Sequence, residues 1–511
     1  MKIRLYWLIL FCLSGYSGSL PTVQASPSSH AAFNFTAIDN YITSQIQADH
    51  IPGVALGVVQ GKNVLHLRGF GDADATGRPV TPTTPFILGS ISKSFTALAT
   101  MQLVEQGKLA LDTPVNHYLP WFNVDHSPDS NKITIRNLLN QVSGIPTYAG
   151  GKSLAGNGSE TLEQRVRELS SVQLTAPVGK TFQYSEDNYV VLGLIIQVVS
   201  GQTYEQYIQD HIFAPLAMKH SFVSQTDAQR NGMATGYLWW FGVPFPANNP
   251  YPSDALPASF VISSAEDMTH YLSAQINNGT YGDTSILSPG GIAELHQPAA
   301  PTGTGDSYAM GWVVGTRHDQ QVLWHGGDVS NFHGDMVILP EKQLGVIILD
   351  NANNALIQLQ ELGKIGRIAA GVISMLLGLQ PSDDVLSVHT FYWVFDLIAV
   401  LLLALQIWSL IVIVRKWNIE RHLRAQKGTR LSFLTMLPLL WELVLPCSVL
   451  IVLFIALRSF ELPLSLLFLY SPDFSYWLTL LLLVLMGTGI LRIIQISRLH
   501  KLRVNSYNLT G

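Results

Sequence analysis

The 511-residue chain contains a single Ser-x-x-Lys, Ser90-Ile91-Ser92-Lys93, which sets a hydroxyl three residues from an ammonium. The stretch Ser92 to Gln106 reads as a helix that Gly107 terminates. Residues three apart at a helix start share one face, so Lys93 can reach Ser90. A serine hydroxyl becomes a competent nucleophile only when a neighbour takes its proton. The free N–H groups of a helix start can also stabilise the oxyanion formed by attack on a carbonyl. The pattern points to acyl transfer through a covalent serine intermediate. A glycine-rich phosphate loop and a His-Glu-x-x-His are both missing, so neither cofactor nor metal is expected. The two cysteines, Cys12 and Cys447, both lie in apolar runs, which excludes disulfides and thiol catalysis from the soluble part.

Positioning such a pair requires a scaffold, and the flanking patterns describe one. Val54 to Val59 and Val64 to Arg68 flank Gln60-Gly61-Lys62-Asn63 as a β-hairpin. Met336 to Leu339 and Leu344 to Leu349 form a second around Pro340-Glu341-Lys342-Gln343. Tyr189 to Val199 reads as an apolar helix ending at Ser200-Gly201, and Leu356 to Leu379 as a closing helix. Strands at both ends with helices between predict an α+β domain whose ends meet in one antiparallel sheet flanked by helices, with a helical subdomain.

Only 13% of the residues are charged and mean hydropathy is +0.25, low and high respectively for a wholly soluble chain. Residues 1–25 read as a secretory signal: Lys2 and Arg4 precede an apolar core from Leu5 to Leu13, and Val23-Gln24-Ala25 offers a cleavage site. Three apolar runs, about 391–414, 431–457 and 476–494, are each long enough to cross a hydrocarbon core about 30 Å thick. The Arg415 to Arg430 connection carries six basic residues and one acidic, and Arg498, Lys501 and Arg503 follow the last run. Positive charge stays cytoplasmic, so the first and third helices run outward to inward and residues 26–385 face the exterior. Those residues are strongly acidic, with 17 Lys and Arg against 30 Asp and Glu from Ser26 to Thr390, which argues against nucleic acid as a partner. Asp396 and Glu442 fall inside spans, but no broken-helix or repeat pattern supports a transport path. The aromatic run Tyr237-Leu238-Trp239-Trp240-Phe241 could wall a substrate, touch lipid or pack against its own domain.

The segment Phe86-Ile87-Leu88-Gly89-Ser90-Ile91-Ser92-Lys93-Ser94-Phe95-Thr96 resembles the active-site stretch of the serine β-lactamase and penicillin-binding-protein superfamily. It is most similar to the class C β-lactamase-like branch, with its D-aminopeptidase, D-alanyl carboxypeptidase and esterase relatives. The resemblance continues in family order through Ile133 to Leu139, Ser143-Gly144-Ile145-Pro146, Pro177-Val178-Gly179, Tyr184-Ser185, more loosely Pro257 to Asp267, and then Trp324-His325-Gly326-Gly327. It implies a β-lactamase/DD-peptidase-like fold with Ser90 as nucleophile, Lys93 as its proton partner and Tyr184 as general base. A phenol needs nearby cations to ionise at neutral pH, and Lys93 with a protonated His325 would supply them. His325-Gly326-Gly327 stands where the family has Lys-Thr-Gly, on a strand the resemblance implies is an edge that approaches the substrate backbone, and the N–H of Asp328 would complete an oxyanion hole with that of Ser90.

One position departs from the family. Its second motif is Tyr-x-Asn, whereas this chain has Tyr184-Ser185-Glu186. Asparagine offers a donor and an acceptor to a substrate amide; ionised glutamate only accepts. Glu186 pointing inward would pair with Lys93, hold it charged and weaken it as a base. The expected activity is therefore hydrolysis of an ester or amide, such as a cell-wall D-amino-acid peptide, by a multi-pass protein of the cell membrane with small-molecule or peptide substrates. The alternatives are a non-catalytic sensor of peptides or β-lactams, which the short tail after Ile494 disfavours, and a degenerate penicillin-binding homologue that Glu186 keeps in play.

Overall fold

The computed structural model describes residues 33–149, 160–354, 364–381, 387–424 and 464–507, together with Ser448, Ile451 and Ile455. The expected signal segment lies outside the described residues, as does nearly all of the expected middle span.

Helix α1 (Phe35–Asp49) is capped by Asn34, whose side chain accepts from the Ala37 N–H. β1 (Gly53–Gln60) and β2 (Asn63–Gly71) follow as the expected hairpin. β1 also pairs antiparallel with the last long strand, Leu344–Asp350, from Val54 opposite Asp350 to Gln60 opposite Leu344. The two ends of the domain thus meet in one sheet. Side chains alternate along β1: Val54, Leu56 and Val58 share a core with Ile38 and Ile42 of α1, while Ala55 and Val59 turn to the opposite core. With both faces covered, β1 reads as a nearly continuous apolar run.

Ser90 stands just before α2 (Ser92–Glu105), a helix buried over almost its whole length. α3 (Glu186–Ser200) starts three residues earlier than the apolar pattern suggests, which makes Glu186 its first residue, and Gly201 caps it at φ +73°. A short helical turn, Leu256–Ser259, packs against both. Close approach there requires Gly193, where a Cβ would fall 2.3 Å from Pro257 Cγ. Next come the hairpin of β3 (Tyr237–Trp240) and β4 (Val243–Pro246), and the sheet strands β5 (Ala300–Pro301), β6 (Ser307–Tyr308), β7 (Val313–Arg317), β8 (Gln320–Val329), β9 (Phe332–Leu339) and β10 (Leu344–Asp350). The eight-stranded sheet runs β2-β1-β10-β9-β8-β7-β6-β5.

Two expectations change. The strand carrying His325, β8, is internal rather than an edge; β7 pairs with it only as far as Trp324, so His325 to Val329 keeps one side open. The expected closing helix over 356–379 is not continuous: residues 355–363 lie outside the described set, residues 364–366 are not helical, and α4 spans Arg367–Leu376.

Three further helical stretches follow among the described residues: α5 (Val388–Arg424), α6 (Leu464–Tyr470) and α7 (Pro472–Tyr507). Within them, Val388–Val412 and Pro472–Leu491 are long and apolar enough to span a membrane. Two candidate spans are therefore present among the described residues, not three. Both begin against the catalytic domain: the Val388 N–H donates to Asp49 Oδ1 at 2.9 Å, and Ser471 and Asp473 are fully buried.

Candidate active site

Lys93 is completely buried, and its ammonium has three acceptors for three protons: Ser90 Oγ at 2.9 Å, Glu186 Oε2 at 2.6 Å and the Ala258 carbonyl at 3.0 Å. Such saturation is the signature of the charged form. Burial pulls the Lys93 pKa below the ordinary lysine range, and the Glu186 carboxylate opposes that fall. Glu186 is fixed in turn by the Ser259 hydroxyl, 2.9 Å away. The expected Lys93–Glu186 pair is present.

Tyr184 is placed by the turn before α3. Thr147 Oγ1 donates to its carbonyl at 2.6 Å, and the Ser185 N–H donates to Gln141 Oε1 at 3.0 Å. The Lys93 Nζ lies 4.7 Å from the centre of the Tyr184 ring. Ser90 is hydrogen-bonded to the phenol, which favours ionisation, but burial and then the Glu186 carboxylate outweigh it and hold the phenol well above the usual tyrosine range.

His325 does not act as the expected second cation. Burial, and then the charge of Lys93, lower its pKa to about 4. Its Nδ1 lies 2.7 Å from the Gly326 carbonyl, so that nitrogen carries the proton, and Nε2 accepts from the Tyr308 hydroxyl at 3.2 Å. The neutral ring is held in one tautomer near Tyr184, with ring centres 6.3 Å apart.

The nucleophile turn and β8 touch backbone to backbone. Gly89, at φ +56°, would place a Cβ 2.3 Å from the Asp328 nitrogen, and a Cβ on Gly327 would lie 1.9 Å from the Leu88 carbonyl oxygen. Only glycine fits at either position. The Asp328 N–H is thereby held against the turn that carries Ser90. The Asp328 carboxylate turns away, to His333 Nδ1 at 2.8 Å and Asn353 Nδ2 at 3.0 Å.

Ser90, Lys93, Tyr184, Glu186, His325, Gly327 and Asp328 thus form one cluster. Sequence reasoning missed Ala258, Ser259 and Tyr308, which hold the ammonium, the carboxylate and the imidazole. Only the looser family match from Pro257 to Asp267 pointed toward the first two. His220, Glu266 and Asp267 bring potential metal ligands within 4.8 Å of one another elsewhere. There the Asp267 carboxylate is already occupied by the His220 N–H and the Ser221 hydroxyl.

A family model for beta-lactamase matches residues 38–357. The chain belongs to the beta-lactamase and penicillin-binding-protein-like serine hydrolase superfamily. Protein flp of Staphylococcus aureus (strain MW2) is 31% identical over 320 residues, 62% of this chain and 63% of that protein. The match therefore spans less than two thirds of either chain. Among solved structures, the octameric penicillin-binding protein homologue from Pyrococcus abyssi is 28% identical, with a TM-score of 0.60 over 69% of this chain and 79% of its own. The D-amino acid amidase from Ochrobactrum anthropi SV3 shares the fold, with a TM-score of 0.54 at 23% identity over 62% of this chain and 92% of its own.

Proposed function

We propose that the protein is a membrane-anchored serine hydrolase that cleaves an ester or amide outside the cytoplasm through an acyl-enzyme on Ser90. The observation that carries this reading is the 2.9 Å contact of Ser90 Oγ with a buried ammonium, beside a phenol and at a helix start. Lys93, held charged by Glu186, donates to Ser90 Oγ and favours the alkoxide, but has no free lone pair for the serine proton. That proton passes to Tyr184 in its phenolate form, whose population burial and the Glu186 charge keep small. Ser90 Oγ then bonds to the substrate carbonyl carbon, and the N–H groups of Ser90 and Asp328 receive the oxyanion. The leaving group departs with the proton from Tyr184, and water releases the acyl group by the same steps in reverse. Neutral His325 fixes the polar wall opposite through Tyr308.

Glu186, in place of an amide, offers a β-lactam or peptide carbonyl no donor, so esters and small amides fit better than penicillins. The membrane part of the reading rests on α5 and α7. The first leaves Trp393, Leu397, Val400, Leu405 and Trp408 more than half exposed, an apolar face that water tolerates poorly. Purified protein incubated with a fluorophosphonate probe and a fluorescent penicillin, beside Ser90→Ala, tests the chemistry. Ser90-dependent labelling by the fluorophosphonate supports it; labelling by neither probe favours a binding-only homologue.

A further inference from the structure

The catalytic cluster is tied by short polar links to the start of the last helix. Asn353 Nδ2 donates to the Asp328 carboxylate, and the next residue, Asn354, donates its backbone N–H to Asn353 Oδ1 at 2.7 Å. Asn354 Oδ1 in turn accepts from the Ser471 hydroxyl at 3.2 Å, and its amide donates to Tyr392 on α5 at 2.8 Å. Three hydrogen bonds therefore separate the residue at the oxyanion position from the residue that precedes α7.

The β3–β4 hairpin joins the same place from the catalytic side. The Phe241 N–H donates to Asp473 Oδ2 at 3.1 Å, Trp240 packs on Tyr476 with ring centres 5.9 Å apart, and Phe241 stacks on Phe395. Hairpin residues beyond this dock have no cover: Val243 is 64% exposed and Phe245 63%, beside Tyr476 at 58%. Apolar and aromatic side chains that continue the outer ends of two spanning helices lie where a bilayer interface would receive them.

We propose that the bond cleaved at Ser90 belongs to an amphiphile held in the lipid surface, with the Val243–Phe245 tip resting in the interface. This rests on the reading of the chain as a membrane-anchored Ser90 hydrolase. A site tied to the spans through Asn353, Asn354 and Ser471 gains from a lipid-borne substrate because the membrane confines both partners, raising their effective concentration. A freely soluble substrate gains nothing from that position.

The test uses the full chain in phosphatidylcholine vesicles, with p-nitrophenyl palmitate as the lipid-borne ester and p-nitrophenyl acetate as the soluble one. The expected result is a kcat/KM at least about ten-fold higher for the palmitate. In the double variant Val243→Glu/Phe245→Glu, palmitate turnover should fall about ten-fold, while acetate turnover and fluorophosphonate labelling of Ser90 stay unchanged. Equal turnover of the two esters, or a double variant that lowers both or neither, overturns the proposal while the hydrolase reading stands. Failure of Ser90 to label at all overturns both. The separate variant Phe245→Ser, which adds no charge, should show the same selective loss in smaller degree.

Discussion

Lys93 Nζ and Glu186 Oε2 lie 2.6 Å apart at the centre of the site, and this pair governs the protonation of everything around it. The Glu186 charge raises the pKa of Lys93 and that of Tyr184 alike. Its removal lowers both, so whichever group takes the serine proton does so at lower pH. For Glu186→Gln, the rising limb of the pH profile for fluorophosphonate acylation should move down by about one unit or more, a differential interaction of roughly 1.4 kcal/mol per unit. An unshifted limb would mean that Glu186 does not control the base.

The same pair makes a stability prediction. Removing one member of a buried ion pair strands the other's charge, which costs about 3–5 kcal/mol. Lys93→Met leaves the Glu186 carboxylate with Ser259 as its remaining hydrogen-bond partner, and should destabilise by about that amount in urea unfolding. The double variant Lys93→Met/Glu186→Gln should recover about half of the loss, because no buried charge remains. Equal destabilisation in both variants would show that packing around Lys93, rather than its charge, dominates.

How much of this was readable beforehand follows from where each contact comes from. Ser90 and Lys93 are three residues apart, the β1–β2 hairpin is local, and Gly107 and Gly201 stop helices within their own segments; spacing alone displays them. Tyr184 and His325 were accessible only through family order. Ala258 and Ser259 act across 165 and 73 residues of separation, the first through its backbone carbonyl, and Tyr308 reaches His325 across 17; such contacts leave no mark on side-chain periodicity. The charge of His325 was misread for the same reason: its neutrality comes from burial and from Lys93, which only the assembled fold supplies. α1 was missed because its apolar positions are sparse, and Ile38 and Ile42 are core residues only against β1.

The glycine contacts predict a loss of rate. In Gly89→Ala, the new Cβ must push the Asp328 nitrogen away and strain a positive φ. Separating the two N–H donors from a common point should slow Ser90 acylation by about 10²-fold or more, the cost of losing an oxyanion donor. A comparable melting temperature, within the few degrees expected for a strained alanine, would show that the site rather than the fold has been damaged.

His325 links the site to acid stability. Its folded pKa of about 4 lies below the 6.5 of an unperturbed histidine in the unfolded chain. Between those values the unfolded state binds more protons than the folded state, so stability rises with pH across that window. The contribution is complete above about pH 6.5 and is lost as pH falls toward 4, a change of about 3 kcal/mol at most. In His325→Gln, which cannot titrate, the drop in unfolding free energy between pH 7 and pH 4 should be smaller than in the parent by about that amount. The acylation rate of the same variant should fall at every pH with no displaced limb between pH 5 and 8, because the ring is already neutral there. An acid limb present in the parent and absent from His325→Gln would instead assign the imidazole a titrating role.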